Sequence, residues 1–72
     1  MIDEEKIIAL ELKINGIERR ILKEKASRAD LIRYKLTNTG EFRLLNEQIK
    51  LLERQRDILR RKLFKMIRGG EK

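Results

Sequence analysis

The chain contains no cysteine, no histidine, no proline and no tryptophan. Without cysteine there is no disulfide and no thiolate metal site, and without histidine there is no imidazole to act as base, nucleophile or metal ligand. The aromatics are Tyr34, Phe42 and Phe64 alone, too few for the stacking platform of a single-strand binder. Gly16, Gly40, Gly69 and Gly70 build no phosphate-cradling loop. No apolar run approaches the length of a membrane span. The opening Met1-Ile2-Asp3-Glu4-Glu5 is acidic, unlike the basic start of a secretion signal. These absences lead to the expectation of a soluble, intracellular (cytoplasmic) protein that is no enzyme, holds no metal or cofactor and does not engage a membrane.

What is present is a helical composition. Leu, Ile, Lys, Arg and Glu dominate the 72 residues, and nothing in the chain breaks a helix as proline would. Abundant Ile, Lys, Arg and Glu without Cys is also a thermophile-like pattern. A chain this short hides too little surface to be comfortably stable alone, and with disulfides and metals excluded the remaining support is a partner chain. Formal net charge is +7 and the pI is near 10.2.

Two heptad runs organise the sequence. With Phe42 at position a, the a and d sites hold Phe42, Leu45, Ile49, Leu52, Arg56, Leu59, Leu63 and Met66, of which only Arg56 is charged. Upstream, Ile7, Leu10, Ile14, Ile17 and Ile21 fall on a and d. This run passes through Asn15-Gly16, a dipeptide that elsewhere signals a β-hairpin. A strand has to change period at a turn, and this pattern keeps its phase. Gly16 inside a helix costs about 1 kcal/mol, less than the five aligned aliphatic residues contribute at about 1.5–3 kcal/mol each. Beyond Ile21, Glu24 and Arg28 take the strict heptad sites. The stripe Leu22, Ala26, Ala29, Ile32, Leu36 offers a path out of phase with them, so the pattern predicts a stutter.

Between the runs lies Leu36-Thr37-Asn38-Thr39-Gly40-Glu41. Asn38 with Glu41 reads as a capping box, and Gly40 is an alternative left-handed cap for the first helix. A short connection makes antiparallel neighbours. The expected fold is all-α: an antiparallel helical hairpin forming one domain over 1–72. Its parts are a helix over 3–36, a turn at 37–40, a helix over 41–68 stopped by Gly69-Gly70, and a frayed tail over 69–72. Each arm would be about 40–50 Å long at 1.5 Å per residue.

A hairpin buries one seam per helix, and these helices carry more apolar surface than that. Leu44, Leu51 and Ile58 recur every seven residues, with Gln48 and Gln55 beside them. On the first helix Ile8 and Leu12 also lie off the seam. Two hairpins packed face to face would cover the excess as a homodimeric four-helix bundle, a coiled-coil assembly with Leu44, Gln48, Leu51, Gln55 and Ile58 at the dimer interface. This layout resembles that of the Rop family of plasmid-borne dimeric hairpins, which bind paired RNA loops. The likeness is one of architecture, helix–short loop–helix at similar size. No residue motif is shared and no residue role is carried over.

Residues 1–18 hold five acids and two bases, and residues 50–68 hold eight bases and two acids. In an antiparallel hairpin these segments lie side by side and complement the helix dipoles. The acids leave much of the positive charge unbalanced. Arg54, Arg61, Lys65 and Arg68 share one outer stripe, and Arg19, Lys23 and Arg33 lie on outer positions of the first helix. Such rows can face phosphates together or an acidic protein partner, and a densely charged solvated face has the same appearance. On the seam, Arg56 can pair with Glu24 across the hairpin or lay its head outward along its stem. Two functions follow: a structural or adaptor module acting through protein interaction, or a nucleic-acid-binding regulator without sequence preference. The second could be a Rop-like bundle or a strand-first ribbon-helix-helix protein in which Ile7–Ile14 forms the strand and exposes Glu11 and Lys13.

Overall fold

The computed structural model describes residues 3–70, and there the chain forms two helices packed on each other as a hairpin, α1 (Glu4–Arg33) and α2 (Gly40–Gly70). Among the described residues there is no strand. The segment Ile7–Ile14 is helical, which removes the strand-first ribbon-helix-helix reading. Asn15-Gly16 is also helical and exposed. The hairpin is a rod whose Cα atoms span 53 × 14 × 13 Å.

α1 begins where Asp3, in extended conformation, accepts a hydrogen bond from the Lys6 N–H on its Oδ1 at 3.2 Å. Glu4 and Glu5 in the first turn suit the positive end of the helix dipole. The helix stops at Arg33 rather than at the expected residue 36, and the reason is local. Lys35 takes a left-handed conformation at φ 58°. Its N–H donates to the Ile32 carbonyl at 3.0 Å, and the Leu36 N–H donates to the Leu31 carbonyl at 2.8 Å. This pair of bonds is a Schellman closure with Lys35 in the place glycine usually takes. Gly40 has no left-handed conformation and instead opens α2. The cap of α2 is Thr39, not Asn38: its Oγ1 accepts from the Phe42 N–H at 3.2 Å and donates to the Leu36 carbonyl at 2.9 Å. One hydroxyl therefore ties the end of one helix to the start of the next. Gly69 and Gly70 do not stop α2, which runs through both. Glycine ends a helix by turning left-handed, and no described glycine does so. Positions 71–72 of the expected tail lie outside the described residues.

Two substitutions test these readings. Lys35→Gly removes a side chain from a left-handed site and is expected to stabilise the hairpin by about 0.5–1 kcal/mol in urea titrations. Gly16→Ala is expected to raise stability by about 1 kcal/mol, because a Cβ there meets nothing within 4 Å. A lower melting midpoint for Gly16→Ala would contradict the uninterrupted helix.

Ile14, Ile21, Ile49 and Leu52 are the buried core. Ile7, Leu10, Ile17, Phe42, Leu45, Leu59, Leu63 and Met66 are half-buried along the same seam. The stutter does not occur. Leu22, Ala26, Ala29, Ile32 and Leu36 are exposed, while Glu24, Arg28 and Leu31 continue the strict heptad as half-buried residues. Arg28 fits because its Nη1 donates to Asn46 Oδ1 at 3.1 Å, so its aliphatic stem spans the seam while its charged end stays hydrogen-bonded.

Candidate functional site

The two flanks of the seam differ. On one, polar side chains reach from helix to helix: Glu18 receives Arg60, Lys25 Nζ lies 3.8 Å from Glu53 Oε2, and Arg28 meets Asn46. Arg56 belongs to this flank as well. Its Nε lies 3.2 Å from Asp57 Oδ1 and 3.9 Å from Glu18 Oε1, so of the two expected arrangements the Glu24 pair is not formed and the outward-laid head is. The side chain is 21% exposed, with its stem on the seam and its head at the edge. These pairs were legible in principle. In an antiparallel pair the e positions face each other, and Glu18, Lys25, Glu53 and Arg60 occupy e with opposite signs at matching levels.

The other flank is open. Two shallow grooves run along it, one bounded by Lys13, Ile17, Gln55, Ile58 and Leu59, the other by Lys6, Ala9, Leu10, Lys13, Lys62 and Met66. Beside them Leu44, Leu51 and Ile58 stand in line on α2, each 57% exposed. Gln48 and Gln55 are exposed next to them. At about 1.5 Å per residue the three aliphatics span about 21 Å of helix. Exposed aliphatic side chains occur singly on most proteins, but these three recur in one line on α2, and Ile58 also borders a groove. Ile8 and Leu12 are exposed on the far side of α1, away from this row.

Arg54, Arg61, Lys65 and Arg68 are exposed on the outer side of α2. The Arg68 guanidinium lies 5.0 Å from the centre of the Phe64 ring, and Phe64 is 59% exposed. Arg60, Arg61, Phe64, Lys65 and Arg68 line one shallow depression. Arg19, Lys23 and Arg33 are exposed on α1. By the register of the hairpin Arg19 and Lys23 lie level with Leu59 and Gln55, within the axial span of the α2 row but on the other helix, and Arg33 lies nearer the turn.

Among the described residues no cluster of acidic side chains is arranged to hold a metal ion. No helix there is long and apolar enough to cross a membrane. No family model, curated protein or solved structure matches the chain.

Proposed function

We propose that the chain is a small helical interaction module that assembles with a second copy of itself into a four-helix bundle, using the open flank as its interface. The exposed row Leu44, Leu51 and Ile58 carries this reading. The row lies on the flank that, among the described residues, no helix-to-helix ion pair seals, where packing by another helix would remove apolar surface from water at about 25 cal/mol per Å². Sedimentation equilibrium at micromolar concentration is expected to give twice the 8.7 kDa chain mass. A folded monomer under those conditions would overturn the proposal.

A second reading, contact with nucleic-acid phosphates, is favoured by the exposed row Arg54, Arg61, Lys65 and Arg68 with the Phe64 ring among them. Such contact would be sequence-tolerant, because the row holds charge but no amide groups placed for base edges. Affinity for random duplex is expected to fall on a log–log salt plot with slope about −0.9 per phosphate neutralised. The triple variant Arg54→Glu, Arg61→Glu, Lys65→Glu is expected to abolish binding. No binding by the wild-type chain at low salt, or strong preference for one sequence, would remove this reading.

A further inference from the structure

We infer that the two copies pair about a two-fold axis that crosses α2 at Leu51 and α1 near Ser27, so that each helix lies antiparallel to its own counterpart. This rests on the self-assembly reading and adds the geometry that reading leaves open. Three independent features of the open flank place the axis.

The first is the pattern on α2. Leu44 and Ile58 stand seven residues to either side of Leu51. An axis at Leu51 therefore sets Leu44 against the partner's Ile58 and Leu51 against the partner's Leu51. Gln48 and Gln55 stand three residues before and four residues after Leu51, close enough to symmetric for each to reach the other's copy as an amide pair. Next outward on that edge come Glu41 on one side and Lys62 on the other. Both are exposed, and neither makes an ion pair among the described residues. The axis sets Glu41 beside the partner's Lys62, twice per dimer. Apolar meets apolar, amide meets amide, and acid meets base.

The second feature is the register of the hairpin, which has nothing to do with the first. Lys25 lies across from Glu53 and Glu18 across from Arg60. Stepping two residues inward from the Lys25–Glu53 level puts Ser27 of α1 level with Leu51 of α2. One axis must serve both helices, so α1 has to be self-complementary about Ser27. On the open flank Lys23 and Asp30 stand about one turn to either side of it, both exposed and of opposite charge. The axis brings Lys23 to the partner's Asp30, and the small Ser27 at the centre lets the two helices approach.

The third feature is where positive charge accumulates. At the end of the rod away from the turn, this flank carries Lys6, Lys13, Lys62 and Lys65. A pairing that set the two open ends side by side would bring these lysines together. The axis at Ser27 lies nearer the turn than the open end, so the open ends of the two hairpins, with Lys6, Lys13 and Lys65, project from opposite ends of the bundle. Their mutual repulsion is thereby avoided. An axis running along the helices fails on the same side chains, because it sets Ile58 against the partner's Arg20 and Lys65 against the partner's Lys13.

The chain has no native cysteine, so single cysteines report the geometry directly. Leu51→Cys and Ser27→Cys, both at exposed sites that the hairpin tolerates, are each expected to cross-link to themselves under mild oxidant as covalent dimers. Disulfides need Cα atoms within about 7 Å, which positions on a two-fold axis satisfy. Glu41→Lys is expected to raise the dimer dissociation constant by up to about tenfold, and Lys62→Glu in the same chain to restore it. Small-angle scattering should give a dimer about 70 Å long at 1.5 Å per residue from the axis to each open end, against the 53 Å of one hairpin. A dimer in which Leu51→Cys cross-links only when mixed with Ser27→Cys, or whose length matches a single hairpin, would overturn the axis and leave self-assembly standing. A monomer would overturn both.

Discussion

Replacing Ile49 with Ala is expected to lower the unfolding free energy by about 2–5 kcal/mol, the range for deleting a fully buried aliphatic side chain and leaving a cavity. Ile49 is 1% exposed, the most buried residue among those described, in a rod whose core holds only three other buried residues. Small domains have stabilities toward the low end of about 5–15 kcal/mol, so this loss is a large part of the total. The cavity has little means of collapse. Level with Ile49 on α1 are Arg28 and Leu31, and Arg28 is held by Asn46. Urea titration followed by helical circular dichroism measures the loss. Leu12→Ala, at a site 65% exposed on the far side of α1, is the control and should cost well under 1 kcal/mol. Equal losses for the two variants would mean that the seam centred on Ile49 is not what holds the helices together.

Leu51→Glu is expected to raise the dimer dissociation constant by about a thousandfold or more. The reasoning differs from that for Ile49, because Leu51 is more than half exposed within one hairpin and contributes little to its seam. On the proposed two-fold axis, however, it would meet its own copy, so one substitution would remove two aliphatic contacts and place two carboxylates together out of water. Like charges brought together at a desolvated site are among the costliest changes an interface can suffer. Sedimentation should show single chains at concentrations where the wild-type chain is paired. Leu51→Glu chains that sediment as wild-type dimers would mean that the interface lies elsewhere on the rod.

The sequence by itself determined the two helices and their antiparallel packing. The a and d residues from Ile7 to Ile21 and from Phe42 to Met66 repeat at a period only a helix can satisfy, and their in-phase passage through Asn15-Gly16 outweighs the local turn preference of that dipeptide. It also showed that α2 carries more apolar surface than one seam absorbs. The path of α1 beyond Ile21 was not legible, since Glu24 and Arg28 look out of place on a seam until a partner for the guanidinium is known. Asn46 supplies that partner only once the helices are set side by side. The ends of the helices were misread for a related reason. Lys35, not a glycine, takes the left-handed site, and Thr39, not Asn38, caps α2, because capping depends on which backbone groups the turn brings within reach. Those few bonds at the turn also set the axial register that puts Lys25 level with Glu53 and Ser27 level with Leu51. Heptad spacing specifies which face of each helix turns inward, but it is unchanged when one helix slides past the other by a full repeat. The level at which the two faces meet was therefore decided by the tertiary structure alone.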